Sequence, residues 1–570
     1  MTNKAVARLF HETAALLELT GGNPFRARAY RQAARVLERL DEPLAERLAA
    51  RGLTDLPGIG EGLEAQVREI LARGSFELRD TLRSAVPAGL LEVLQVQGLG
   101  PKKVRVLWQQ LGITSLDALE HAAETGRLAS LAGFGPRTQE TVLEQIRRLR
   151  AYGARMRLDE ASARLEAIAE AAGALPHVRT VAVAGEVRRG LETVGQADLV
   201  VGADSEADLA PVLDGLVEAI EQLPDRPAGE VLLHGRLGTG GEGLPFRARI
   251  VPPDRFGTAL WEATGSHAHC TAFIARYGPP APQAREEEVY AAAGLPFIPP
   301  ELREGRGEIE AAATGTLPEL ITVRDLRGTL HNHSTYSDGT HPLARMAEAA
   351  FEMGYEYFGI CDHSRSLKVA HGLSIDDVRR QHEEIDRLNR AYAGRARPFR
   401  IFKGIESDIL PDGALDYPDD VLASFDLVVA SIHTGLNMTR DEATRRLLTA
   451  IENPFTTILG HPTGRLLLSR EGYPIDHEAI LAACARHGVA IELNANPRRL
   501  DLDWRWVRTA VERGVMIAIN PDAHAVEQLE LVRWGVAVAR KGWLTPAHCL
   551  NALPLDAFTR WLEERRRQRR

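Results

Sequence analysis

Apolar residues recur at spacings of three and four through the first 150 positions, as at Ala27, Tyr30, Ala34 and Leu37, and predict short amphipathic helices. From 155 to 250 the pattern changes to helix mixed with β-rich runs such as RTVAVAG and ADLVV. Residues 278 to 320, rich in Pro and Glu (GPPAPQ, FIPPELREGRGEIE), predict surface loop and linker. From 328 onward strand-like runs alternate with helices, the pattern of a parallel βα repeat. No apolar run approaches the roughly 20 residues that a membrane span requires. The opening MTNKAVARLFHETAALLEL is amphipathic rather than signal-like, so no membrane association and a cytoplasmic, nucleoid-associated location are expected.

At 570 residues the chain exceeds what one core can organise, and several domains are expected. Its net charge of −9 conceals an asymmetry: residues 1 to 150 hold 21 Lys+Arg against 18 Asp+Glu, net +3, which leaves −12 for the rest. That places the electrostatic attraction for nucleic acid at the N-terminal end. The basic residues are nearly all Arg, with Lys only at 4, 102, 103, 368, 403 and 541, which restricts Schiff-base chemistry. The four cysteines (Cys270, Cys361, Cys484, Cys549) form no CxxC pair and read as small apolar residues.

One unit recurs in the N-terminal region: LPGIG, VQGLG and LAGFG, with glycine pairs Gly58/Gly60, Gly98/Gly100 and Gly133/Gly135. Glycine permits a tight turn with positive φ, and the helix that follows presents unsatisfied N–H groups suited to phosphate. The second and third copies run on into Pro101-Lys102-Lys103 and Pro136-Arg137. These segments resemble helix-hairpin-helix motifs, which implies sequence-independent contact with the DNA backbone.

The stretch GEVRRGLETVGQADLVV, preceded by NPFRARAYRQAARVLE and followed by TGSHAH, is similar to the bacterial family X DNA polymerases. The resemblance implies an all-α helix-hairpin-helix front, an α+β nucleotidyltransferase-like palm and thumb, and a C-terminal α/β barrel. The expected boundaries are a helical domain at 1–80, fingers at 81–150, palm at 151–258, thumb at 259–315, linker at 316–328 and the last domain at 329–570. In that family the palm turn holds a triphosphate and three aspartates hold two magnesium ions. Gly185, Arg189, Gly195 and Asp198 match. The turn serine is Glu186, the first aspartate is Gln196 and the third is Arg247, so the site's side-chain charge drops from −3 to about zero, too little to hold two divalent ions together. A decayed polymerase site without Mg²⁺ is expected. The family's lyase nucleophile would be a Lys where this chain has Gln66, so that activity is not expected either.

Downstream of 328, six apolar runs end in or carry metal-ligand side chains: TLHNHSTYSDG, FGICDHS, FKGIESDI, LVVASIH, TTILGHP and MIAINPDAH. In an α/β barrel the C-terminal strand ends converge on one face, so these residues are expected to build a multinuclear metal site. The set resembles the polymerase and histidinol phosphatase (PHP) domain fused to bacterial family X polymerases. It implies nine ligands: His331, His333, Asp338, His363, Glu406, His433, His461, Asp522 and His524. By that resemblance His331, His333, Glu406 and Asp522 hold one ion, Glu406, His433 and His461 a second, and Asp338, His363 and His524 a third. Two or three Mn²⁺ or Zn²⁺ ions suit such imidazole-rich ligation. Asp338 and His524 are also candidates for proton transfer. Lys368 and Arg465 are candidate phosphate-binding residues, with surface salt bridges as the alternative, and the terminal RRRQRR reads as a solvated tail, with weak attraction for DNA as the alternative.

The expected function is metal-dependent 3′-5′ exonucleolytic or phosphoesterase processing of gapped, nicked or 3′-ended DNA by a monomer. Three alternatives stay open: surviving manganese-dependent polymerisation at Asp198, a non-catalytic clamp for gapped DNA with a Glu186–Arg247 salt bridge, and a small-molecule phosphatase.

Overall fold

The periodic apolar positions of the N-terminal region are buried. Ala27, Tyr30, Ala34 and Leu37 line one side of the helix Pro24–Glu38, and the Tyr30 ring packs edge-on to Phe10 at 5.3 Å. A second cluster gathers Leu90, Val104, Leu107, Leu119 and Ile146. The computed structural model describes residues 1–570 apart from 2, 39, 41, 97, 132, 154, 205–208, 223–229, 239–242 and 569–570, and apart from the side chains of 4, 136, 137, 151, 210, 222 and 568. It divides into two units, Met1–Gly153 and Ala154–Arg570.

In the first unit the three hairpins demand glycine at only one position of each pair. Gly58, Gly98 and Gly133 have φ of 83°, 88° and 88°, where any side chain would be strained. The expectation of positive φ fails at the second glycines, Gly60, Gly100 and Gly135, because each already has the backbone of a residue leading into a helix. A Cβ at any of these three would meet no atom within 4 Å, so nothing inside the fold excludes a side chain there. Gly60 and Gly100 begin the helices Glu61–Arg73 and Pro101–Leu111 without a side-chain cap, leaving the first-turn N–H groups uncovered. Gly135 precedes the helix Pro136–Gly153, and its carbonyl accepts the N–H groups of Thr138 (2.9 Å) and Gln139 (3.1 Å).

The second unit begins with a five-stranded sheet. Its strands are β1 (Val178–Ala184), β2 (Ala197–Ala203), β3 (Val217–Gln222), β4 (Val231–Leu237) and β5 (Leu244–Val251), in spatial order β1-β2-β5-β4-β3. Central β2 is buried throughout, the burial that its apolar run requires. The following segment departs from the loop-and-linker expectation for 278–320. Helices Glu286–Ala292 and Glu308–Thr314 enclose a core of Trp261, Phe273, Tyr290 and Ile298. Two of the glutamates that made this stretch look exposed are buried against partners: Glu286 on Arg188 and Arg303, and Glu308 on His269. Composition misled because a buried charge with a partner is indistinguishable in sequence from a solvated one.

The C-terminal sheet has seven parallel strands in sequential order: β6 (Gly328–Thr329), β7 (Tyr357–Ile360), β8 (Arg400–Asp408), β9 (Leu427–Ser431), β10 (Ile458–Leu459), β11 (Ala490–Asn494) and β12 (Ile517–Asn520). The circle is nearly closed where an Asn332–Ala523 bridge and the His333 N–H donating to the Ala523 carbonyl (2.8 Å) join its two ends. Its far end is plugged by the helix Leu555–Gln568, whose Phe558 stacks on Tyr357 at 4.7 Å. The basic terminus is therefore no simple solvated tail. Arg565 donates to the Thr456 carbonyl at 2.5 Å and Arg566 to Asp426 at 2.5 Å, groups that sit just before β10 and β9. An arginine can seal carbonyls at strand starts because its donors fan out in a plane. No helix among the described residues is long and apolar enough to cross a membrane.

Candidate metal centre

Each barrel strand is apolar while it crosses the core and turns polar at its C-terminal end, which sends the nine predicted ligands to one face. Glu406, 1% exposed, is the hub. Its Oε1 lies 3.0 Å from His461 Nε2, 3.2 Å from His433 Nε2 and 3.4 Å from His331 Nε2. Its Oε2 lies 2.8 Å from His363 Nδ1 and 3.7 Å from His333 Nε2. Asp522, at a left-handed φ of 53°, places Oδ1 3.1 Å from His333 Nε2. At the mouth Asp338 reaches His524 (3.3 Å) and His363 (3.5 Å).

Three groups have ligand atoms mutually within 4.8 Å: His331, His333 and Asp522; His363, Glu406 and His433; and His333, Asp338, His363 and His524. This differs from the expected partition: His333 and His363 each belong to two groups, Glu406 groups only with His363 and His433, and His461 joins none of the three. The His333 and His363 rings bridge the groups because they lie next to each other, tilted, with centroids 4.4 Å apart.

The donor set fits divalent ions. His331 Nε2, His333 Nε2 and Glu406 Oε2 are buried with no aligned hydrogen-bond partner among the described residues, as expected of lone pairs aimed at a common point. The charges are balanced against burial. Desolvation alone would push His331, His433 and His524 down. Instead Glu492, Glu406 and Asp522 hold His331 well above its ordinary value, Glu406 and Asp408 bring His433 to about 10, and Asp338 and Asp522 bring His524 to about 9. His333, between two other imidazoles, is pushed down to about 3 by burial and their charge.

Residues outside the predicted ligand set orient the ligands. Glu492 accepts from His331 Nδ1 (2.7 Å), Asn520 Nδ2 (3.0 Å), Asn494 Nδ2 (3.0 Å) and the His461 N–H (3.1 Å). Asp408 accepts from His433 Nδ1. Such carboxylates fix the ring tautomer and raise ligand basicity. The signal was present as an acid inside the apolar run AIELN. Arg499 was missed as well. It lines the cavity of about 300 Å³ at the site's mouth with Asp338, His363, His433 and His524, its Nε 3.7 Å from Asp522.

Of the two predicted phosphate-binding residues, Arg465 has its guanidinium committed elsewhere: to Asp503 (2.8 Å), to the Arg499 carbonyl (3.0 Å) and to the Leu500 carbonyl. The salt-bridge alternative describes it. Lys368 is exposed at the rim beside Val369 and Ala370, which line the cavity.

Among the described residues the palm gathers no comparable group of metal ligands. Asp198 and Arg247 face each other as register partners on β2 and β5 and pair at 2.7 Å, while Gln196 donates to the same carboxylate at 2.6 Å. A Cβ on Gly185 would fall 2.1 Å from Asp198 Oδ2, so the turn is pressed against that carboxylate. Glu186 accepts the Gly195 N–H at 2.5 Å and pairs with Arg155 at 3.3 Å. The anticipated Glu186–Arg247 bridge does not form, because each has a nearer partner. Arg189, matched to the triphosphate turn, donates to Glu304 (2.8 Å) and to the Thr264 carbonyl (2.7 Å).

In the first unit Gln66 accepts from Tyr30 Oη at 2.8 Å. Of the predicted DNA-binding positions, Gly58, Gly60, Gly98, Gly100, Gly133 and Gly135 are all exposed at their hairpins, open to a ligand approaching the backbone. Lys103 donates to the Gly98 carbonyl (3.1 Å) and Lys102 is exposed, whereas the side chain of Arg137 is outside the described residues.

Comparison with known proteins agrees with this division. Residues 1–76 match a helix-hairpin-helix domain, 90–148 a SAM-like helix-hairpin-helix tandem, and 329–496 the PHP domain. A probable phosphatase of Thermoanaerobacter sp. (strain X514) is 26% identical over 42% of the chain and 95% of its own length. A probable phosphatase of Caldicellulosiruptor bescii is 32% identical over 22% of the chain and 52% of its own length. The DNA polymerase/3′-5′ exonuclease PolX of Bacillus subtilis (strain 168) is 37% identical over 99% of the chain and 100% of its own length. With helix-hairpin-helix units in front, a palm between and a PHP barrel behind, the chain belongs to the family X DNA polymerases of the PolX type.

Proposed function

We propose that this protein is a metal-dependent 3′-5′ exonuclease and phosphoesterase of DNA ends or gaps, working through the PHP barrel with a palm that does not polymerise. The observation that carries the reading is the convergence of His331, His333, His363, His433 and His461 on the two oxygens of buried Glu406. Ions held there by the nine ligands, Mn²⁺ or Zn²⁺ by donor type, would supply Lewis acidity toward a phosphodiester and activate water. The chain's own groups do the rest. Arg499 offers its guanidinium to the phosphate. Asp338 and His524, paired at the mouth, are placed to move a proton to the leaving 3′ oxygen.

The proposed boundaries are a helical domain to residue 80, fingers to 150, palm to 258, thumb to 315, a linker to 328 and the PHP domain beyond. The glycine hairpins and the exposed Lys102 serve backbone binding of gapped, nicked or 3′-ended DNA, with the protein acting as a monomer in the cytoplasm. The clamp role for the palm is favoured over polymerisation by the Arg247 guanidinium on Asp198, which supplies the positive charge a metal ion would otherwise provide.

The test is metal-reconstituted digestion of 3′-labelled gapped DNA. Release of the 3′ label as a mononucleotide is expected for the wild type and its loss for His331→Ala and Glu406→Ala. Faster hydrolysis of a free phosphate monoester than of DNA would instead support a small-molecule phosphatase.

A further inference from the structure

The palm turn that no longer faces a nucleotide is wired to the PHP barrel. Gly190, at φ 67°, sits so close to the helix Val532–Lys541 that a Cβ would lie 3.3 Å from the Ala537 carbonyl. Two residues on, Glu192 is 8% exposed. Its carboxylate accepts the indole N–H of Trp504 (3.0 Å) and pairs with Arg505 (2.9 Å). These open the helix Trp504–Glu512, whose N-cap is Asp503. Three cations crowd the Trp504 ring, Lys541 at 4.6 Å, Arg505 at 4.7 Å and Arg306 at 5.1 Å, so the Glu192 charge is needed there.

From Trp504 the contacts lead straight to the metal cavity. Arg505 and Arg465 share Asp503, each at 2.8 Å. Arg465 holds the carbonyls of Arg499 and Leu500. Asp501 accepts the Thr463 N–H (3.0 Å) and hydroxyl (2.9 Å), two residues from His461. The segment 496–503 is thus pinned at its far end to the palm and at its near end to the ligand loop. Arg499 is the side chain that it aims into the cavity.

We propose that Glu192 is a positioning residue for the nuclease, holding the 496–503 segment so that Arg499 faces the substrate phosphate. The palm turn thereby serves the barrel it packs against. This rests on the phosphate-binding role of Arg499 proposed above. Glu192 touches neither substrate nor ligand and acts only through Trp504, Arg505, Asp503 and Arg465.

The experiment uses the full-length protein with Glu192→Ala, Glu192→Gln, Arg499→Ala and the Glu192→Ala/Arg499→Ala double variant. Three quantities are measured: KM and kcat on 3′-labelled gapped DNA, metal affinity, and amide hydrogen exchange of 496–503 in the metal-free protein. Glu192→Ala is expected to raise KM roughly three- to tenfold, the scale of coupling through a packed network. Metal affinity stays at the wild-type value while exchange in 496–503 accelerates. Glu192→Gln, which keeps an acceptor for the indole but loses the charge that pairs with Arg505, recovers only part of both effects. In the Arg499→Ala background the Glu192 substitution adds nothing to KM. Unchanged exchange in both Glu192 variants, or an equal rise in KM with and without Arg499, overturns the proposal. If Arg499→Ala itself leaves KM and kcat unaltered, the phosphate role fails, and the exchange data still decide whether Glu192 holds the segment.

Discussion

Glu492→Gln is an isosteric change that the geometry makes costly. All four groups around the carboxylate are donors: His331 Nδ1 and Asn520 Nδ2 on one oxygen, the His461 N–H and Asn494 Nδ2 on the other. A glutamine amide has one oxygen and one NH₂, so in either flip it confronts two donors with a third. Two hydrogen bonds to a charged, fully buried group are lost, each worth about 1.5–3 kcal/mol, and His331 loses the partner that fixes its tautomer. The expected loss in metal affinity is about 10- to 100-fold, or roughly 1.4–2.7 kcal/mol. One effect opposes it. Without Glu492 burial drives the His331 proton off more easily, and a ring that must bind a metal benefits. That benefit disappears at high pH, where the wild-type ring has also lost its proton. Competition titration against a chelator at two pH values should therefore show a deficit that grows with pH, with nuclease activity restored by excess metal. Equal affinities, or activity that saturating metal does not restore, would refute Glu492 as the orienting group.

Metal uptake should release protons from His433 and His524, held near 10 and 9 in the metal-free site. Affinity then falls as pH drops below about 10 and more steeply below about 9, and calorimetry in buffers of different ionisation enthalpy that finds no proton release would contradict this. Lys541 is held down to about 8 by burial, against the pull of Glu304; between about 8 and 10.5 the unfolded chain binds more protons, so stability rises with pH across that window and is level below it. Lys541→Met should flatten this rise, which thermal melts against pH will show. Primer extension on gapped DNA should be absent with Mg²⁺ or Mn²⁺, and Gln196→Asp alone should not restore it because Arg247 remains on Asp198; extension abolished by Asp198→Ala would reverse this reading. Borohydride should trap no DNA on the N-terminal domain, since Gln66 offers no amine, and a trapped adduct lost in a truncation of that domain would count against it.

The ligand set was legible because imidazoles and carboxylates at the ends of successive apolar runs rarely arise from packing alone. The hairpins were legible because positive φ at Gly58, Gly98 and Gly133 is a local demand that a five-residue motif expresses. Gly60, Gly100 and Gly135 make no such demand, and the motif alone does not separate the glycine that the turn requires from the one that leaves the helix start uncovered. The segment 278–320 was not legible, since Glu286, Glu308 and Arg303 resemble solvated charges until their partners are found. Arg465 failed as a phosphate residue for the same reason, its partner Asp503 being 38 positions away. Glu492 is marked only by being an acid inside the apolar run AIELN, and nothing within a few residues of Arg499 or Glu192 marks its role.

The sequence by itself determined the order of helical, palm and barrel segments, the identity of the nine candidate ligands and the absence of two of the palm carboxylates, because each is written in local pattern or in residue identity. Only the tertiary structure decided which ligands share His333 and His363, which arginine faces the cavity, and that Arg247 rests on Asp198 while Glu186 turns to Gly195. Apart from the Glu186–Gly195 contact, those outcomes depend on distances between groups tens or hundreds of positions apart. Such distances are set when buried charges compete for partners inside the folded chain.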